Sequence, residues 1–68
     1  MNTFTKEICL SQFDSMCNSL RKTDDYDLRL FYLNKTEGFL LGIFYADVIN
    51  EKEFKELNTM ISNIFWRD

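Results

Sequence analysis

Phe39-Leu40-Leu41-Gly42-Ile43-Phe44-Tyr45-Ala46-Asp47-Val48-Ile49 is the longest apolar run in the chain. It is rich in aromatic and β-branched residues, which suit a pleated, buried surface. Successive side chains of a strand point to opposite faces. Phe39, Leu41, Ile43 and Tyr45 then fall on one side, and Leu40, Phe44, Ala46 and Val48 on the other. A strand apolar on both sides is one buried on both faces. The run therefore predicts a central strand. A chain of 68 residues has little material to cover both faces of a sheet, so one face is expected to stay open for a partner.

Upstream, Tyr26 to Leu33 alternates in the same way and predicts a second strand. Asn34-Lys35-Thr36-Glu37-Gly38 then reads as the turn of an antiparallel hairpin, with Gly38 able to take a positive φ. The Asn-Lys-Thr sequon within it reads as turn chemistry. Gly42 marks a bulge or a close backbone approach. In the simplest register Leu33 faces Phe39, Phe31 faces Leu41, Arg29 faces Ile43 and Asp27 faces Tyr45. The opposite side gathers Tyr26, Leu28, Leu30, Tyr32, Leu40, Phe44 and Ala46, and is the better match for covering helices. Phe31, Leu33, Phe39, Leu41, Ile43 and Tyr45 remain as the open face.

Two helices are expected. Ser11 and Asp14 have the spacing of a capping box, and Phe13, Met16, Cys17 and Leu20 form an apolar stripe that ends on Arg21 and Lys22. The clearer helix follows Asn50. Asn50 and Glu53 form a second capping box, and Ile49 and Phe54 are placed as a hydrophobic staple. Phe54, Leu57, Ile61, Ile64 and Phe65 make its buried stripe, with Trp66 off that stripe. Residues 3–10 alternate weakly and read as a short edge strand, because Phe4 and Ile8 would point away from Phe13, Cys17 and Leu20 on a shared helix. The alternative starts the first helix at Thr3 or Thr5. The fold class is thus α+β, a single domain over 1–68. Its order is β-α-β-β-α with both helices on one face of a small sheet, or α-β-β-α without the first strand.

Composition narrows the chemistry. The chain has no His, which removes the commonest general base and metal ligand. Cys9 and Cys17 do not have zinc spacing, and two glycines cannot build a phosphate loop. The carboxylates of Asp24, Asp25 and Asp27, and of Glu51, Glu53 and Glu56, read as turn and capping residues. No enzyme activity, cofactor or metal is expected. Eleven acids against eight bases give a net charge of −3, which offers no footprint for nucleic acid or an anionic membrane. The apolar run is too short and carries Asp47, so no membrane span is expected. The first residues lack a signal-peptide layout, which places the chain in the cytoplasm with reduced thiols.

The function expected from the residues is protein binding through an aromatic face. Phe31, Leu33, Phe39, Leu41, Ile43 and Tyr45 would form that face, with Asp24, Asp25 and Asp27 as acidic margins. Trp66 is a further contact, and the Phe65-Trp66 end or the N-terminal segment could instead fold over the face. The partner would be another protein or a second copy in a homodimer. Compact, acidic, Phe-rich chains of this kind are similar in style to counter-defence inhibitors encoded by phages and mobile elements, including anti-CRISPR proteins. That likeness covers no specific motif and implies an inhibitor or regulator of a protein partner. A homodimeric regulatory domain holding a small apolar ligand is the alternative, and a minimal carboxylate enzyme the third reading.

Overall fold

The computed structural model describes residues 3–66. They form three helices, α1 (Thr3–Lys22), α2 (Tyr26–Tyr45) and α3 (Glu51–Trp66). No strand occurs among the described residues. The protein is all-α, and the expected α+β architecture with its hairpin sheet is overturned. All three helices pack on one another as an up-down-up bundle.

The expected strand from Tyr26 to Leu33, the turn after it and the expected strand as far as Tyr45 are one 20-residue helix, α2, and Ala46 to Ile49 lie in the connection that follows. Tyr26 to Tyr45 contains no proline to stop it. Asp25 caps its start, its carboxylate accepting the Leu28 N–H at 3.0 Å, and Asp27 lies in the first turn. Both complement the positive end of the helix dipole. Gly38 does not turn the chain, since neither glycine takes a positive φ. Thr36, in the expected turn, is buried, and its hydroxyl donates to the Tyr32 carbonyl one turn back at 2.7 Å. Tyr32, Thr36, Leu40 and Ile43 thus follow the helical period towards the core. Because apolar residues occupy every side of this helix, the two-residue and 3.6-residue periods both fit its sequence. Length separates them: a 20-residue uninterrupted segment is ordinary for a helix and long for a strand.

The end of α2 is closed by a Schellman motif. The Val48 N–H donates to the Ile43 carbonyl at 2.9 Å and the Asp47 N–H to the Phe44 carbonyl at 3.0 Å. Asp47 takes the left-handed conformation this requires, with φ 61°. Buried Val48 and Ile43 supply the apolar residues that usually accompany the motif. The chain reverses, and α3 starts on a reciprocal box. The Glu53 N–H donates to Asn50 Oδ1 at 2.8 Å, and the Asn50 N–H donates to Glu53 Oε1 at 2.9 Å. This cap and the Ile61, Ile64 and Phe65 stripe agree with the sequence reading.

Residues 3–10 are the first half of α1 rather than an edge strand. Phe4 and Ile8 do point away from Phe13, Cys17 and Leu20, as the spacing requires, and both are exposed. The helix continues because Cys9 and Leu10 pack on the core from the other side. Ser11 lies in mid-helix, exposed, and caps nothing.

The core joins Phe13, Cys17 and Leu20 of α1 to Leu40 and Ile43 of α2, Val48 and Ile49 of the second connection, and Ile61, Ile64 and Phe65 of α3. Each such apolar side chain contributes about 1.5–3 kcal/mol on burial. Phe44 and Phe54 stack with centroids 4.6 Å apart and lock α2 to α3 near the reversal. Lys6 pairs with Glu53 and ties the start of α1 to the start of α3.

At the other end Arg29 acts as a clamp. Its Nη1 donates to the carbonyls of Leu20 (3.3 Å) and Thr23 (3.0 Å), and its Nη2 to those of Ile64 (3.1 Å) and Phe65 (2.7 Å). One guanidinium from α2 thus bonds carbonyls at the end of α3 and at and just beyond the end of α1, where Leu20 also accepts the Thr23 N–H at 3.4 Å. It also lies over the Phe65 ring, 5.5 Å from its centroid.

Candidate interaction surface on helix α2

A helix that packs on two neighbours needs apolar residues on one side and polar residues on the other. α2 does not have this division. Its inner side carries Arg29, Tyr32, Leu33, Thr36, Phe39, Leu40 and Ile43. Its outer side carries Leu30, Phe31, Leu41 and Tyr45, which are 38, 56, 41 and 76 % exposed, and Leu28, 52 % exposed, lies about 100° round the helix from the centre of that side. Between these lie Asn34, Lys35, Gly38 and Gly42, all exposed. A Cβ added at Gly38 or Gly42 would meet nothing within 4 Å, so the helix backbone itself is bare there.

The residues expected to form one open face are divided by the helix. Phe31, Leu41 and Tyr45 do share the outer surface. Ile43 is buried in the core, and Leu33 and Phe39 are half-buried against it. Strand parity grouped Ile43 with Leu41; the helix, at about 100° per residue, groups Ile43 with Leu40 and Thr36. Asp24, Asp25 and Asp27 are exposed at the start of α2, below the apolar surface, with Asp25 engaged as its cap. Trp66 ends α3 and is 73 % exposed. It meets the Phe65 ring edge-on at 5.0 Å, and Tyr26 lies 6.2 Å from the same ring. These aromatics make a separate small cluster at the Arg29 end of the bundle. Trp66 does not cover the outer side of α2.

Leu28 and Leu30 were assigned to the helix-covered side by parity and belong to the exposed surface. Arg29 was read as a half-polar strand position and is a half-buried clamp at one end of the bundle. The signal for the first was present in the spacing, since Leu28 and Leu30, two residues apart, lie about 160° apart round a helix and cannot share one covered side. Asp27, Phe31, Asn34, Gly38, Leu41 and Tyr45 follow one another at intervals of four, three, four, three and four, the spacing of a single helix face. Nothing local signals the second, because the partners of Arg29 are main-chain carbonyls, two of them 35 and 36 residues away.

Among the described residues the carboxyl of Glu53 and the thiol of Cys17 are displaced, and both have structural causes. The hydrogen bond from Lys6, helped by the Asn50 N–H, holds the Glu53 carboxyl below its ordinary value. Burial pushes the Cys17 thiol up, against a smaller opposing pull from Arg21. Cys9 and Cys17 are free and eight residues apart on one helix, about 12 Å at 1.5 Å per residue. That separation is too long for a bridge within the chain. Among the described residues no group of three or more His, Cys, Asp and Glu could hold a metal ion. Shallow grooves lie beside Phe4, Glu7, Ile8, Ser11 and Gln12, and beside Arg21, Glu56, Met60 and Asn63. No helix among the described residues is long and apolar enough to cross a membrane. Comparison with protein-family models, with curated proteins and with solved structures gives no match to this chain.

Proposed function

We propose that this chain is a non-enzymatic binding module that regulates a protein by docking the outer side of α2 on a protein surface. The observation that carries the reading is the apolar, aromatic exposure of Phe31, Leu41 and Tyr45 on one side of one helix, with Leu30 at its edge. The largest apolar patch on a monomeric protein, about 300–600 Å², is often functional. Helix-in-surface docking needs only spaced apolar anchors on a stable helix. The absence of His supports binding over catalysis, since the commonest proton-transfer group is missing.

The test compares the wild-type chain with Leu41→Lys, a substitution on the exposed side that leaves the core untouched. Each is used for affinity capture from a lysate, captured proteins are identified by mass spectrometry, and the activity of a captured protein is assayed with the purified chain added. The expected result is a captured protein whose activity responds to the wild type, while Leu41→Lys retains its helical circular dichroism and loses both effects. Equal capture and equal effect by Leu41→Lys would sink the reading.

A further inference from the structure

We infer that residues 39–45 carry two structures: helix while the three-helix bundle is closed, and the strand of an intermolecular cross-β assembly once it opens. The inference is independent of what docks on α2.

Phe39-Leu40-Leu41-Gly42-Ile43-Phe44-Tyr45 holds no charge and no proline. Four of these residues, Phe39, Ile43, Phe44 and Tyr45, are strand formers. Extended, the segment is apolar on both faces, with Phe39, Leu41, Ile43 and Tyr45 on one and Leu40 and Phe44 on the other. Stacked copies of such a segment bury a dry face on each side, and every backbone group pairs with the copy above or below. Other apolar stretches of the chain lack this pattern. Residues 30–33 are fewer and follow Arg29 directly. Residues 57–66 are also uncharged but are broken by Asn58, Thr59, Ser62 and Asn63. Glu37 and Asp47 flank residues 39–45, and no charge interrupts them.

The helix that holds the segment is weak in its own right. Gly38 and Gly42 lie one turn apart within α2, and glycine is the poorest helix former after proline. No basic residue stands in the last turn, and Asp47 follows the cap, a negative charge at the negative end of the dipole. What keeps residues 39–45 helical is tertiary packing. Leu40 and Ile43 are buried in the core, Phe39 and Phe44 pack against it, and the Phe44 ring stacks on Phe54 of α3. Local preference and native structure thus disagree, and the closed bundle decides between them. Opening removes those contacts together. A helix of this length with two glycines does not persist alone in water, so the freed segment is left with its strand preference.

The test holds the full chain at its own melting midpoint and at high micromolar concentration, followed by far-ultraviolet circular dichroism and thioflavin T. The expected product has a strand spectrum, fibre reflections at about 4.7 and about 10 Å, and amides protected from exchange over residues 39–45. A Cβ at Gly42 meets nothing within 4 Å, so Gly42→Ala and Gly42→Glu both fit the native helix and improve it. At its own midpoint Gly42→Ala should convert as the wild type does. Gly42→Glu should convert at least about tenfold more slowly, because an unpaired charge enters every layer of the stack. Asn34→Glu puts the same charge on an exposed position of α2 outside the segment and should match the wild type. Unfolding that stays reversible, with no strand spectrum at high micromolar concentration, overturns the inference. So does conversion of Gly42→Glu at the wild-type rate, an equal slowing by Asn34→Glu, or protection that lies outside residues 39–45.

Discussion

Replacing Arg29 by Met keeps the length of the side chain and removes its charge and donors. The wild-type guanidinium makes four hydrogen bonds of 2.7–3.3 Å to carbonyls of Leu20, Thr23, Ile64 and Phe65. A charge-assisted hydrogen bond is worth about 1.5–3 kcal/mol, but the four are shared between two nitrogens and are only partly shielded from water. A cation at a helix C-terminus adds about 0.3–1 kcal/mol per helix, and here one cation serves two. The expected loss is about 2–4 kcal/mol, a large part of the roughly 5–15 kcal/mol that holds a domain folded. In a domain of this size it corresponds to a fall in Tm on the order of 10–20 °C. Arg29→Lys should recover less than half, because one ammonium cannot span the ends of both helices as a planar fork does. Urea unfolding followed by far-ultraviolet circular dichroism measures both. Arg29→Met within about 0.5 kcal/mol of wild type, the range of ordinary surface changes, would refute the clamp; full recovery by lysine would refute the fork geometry.

Three further outcomes are expected. Glu53 has a lowered pKa, so the Lys6–Glu53–Asn50 contact stabilises the fold above the ordinary glutamate value of about 4.3 and is lost as pH falls through the folded value; Glu53→Gln should flatten the acid limb of the melting curve, and an unchanged limb would show the contact is idle. Asp47→Gly should raise stability by up to about 1 kcal/mol, because glycine takes the left-handed conformation without a Cβ penalty; a lower Tm would mean that the aspartate side chain matters to the motif. Cys17, fully buried with a raised thiol pKa, should resist iodoacetamide in the native state and react on unfolding, and its stabilising effect should fade as pH rises from the unfolded thiol value through the folded one; rapid native alkylation of Cys17, read by peptide mass, would show that the core around it opens.

The parts of the fold legible in the sequence are those with local markers. Asn50 and Glu53 declare the start of α3, and Ile61, Ile64 and Phe65 keep a clean helical period to its end. Phe13, Cys17 and Leu20 do the same for the second half of α1. α2 was not legible by the same test. Phe31, Leu41 and Tyr45 add apolar residues to its outer side, which erases amphipathic contrast, while Thr36 and Arg29 put polar groups on its inner side. Asn34 to Gly38 has turn composition, yet none of its residues adopts a turn conformation, because Thr36 satisfies its hydroxyl within the helix and packs inward. The surface that confused the secondary structure is the same one that serves as the candidate site. A side apolar beyond what the monomer can bury looks, in sequence, like a second buried face of a strand.

Lys6 meets Glu53 at one end of the bundle and Arg29 gathers Leu20, Thr23, Ile64 and Phe65 at the other, so α1 and α3 run parallel. The described chain therefore enters at one end and leaves at the opposite end, along a long axis of 37 Å. Joining residue 66 back to residue 3 in a circular permutant would need a linker of about ten residues at the roughly 3.3–3.6 Å each can span, running the length of the molecule. Tandem copies joined head to tail would string out end to end and leave the middle of α2 clear. A reporter fused before α1 or after α3 would sit at a pole, and the two poles are far enough apart for a pair of dyes to report extension as the bundle unfolds.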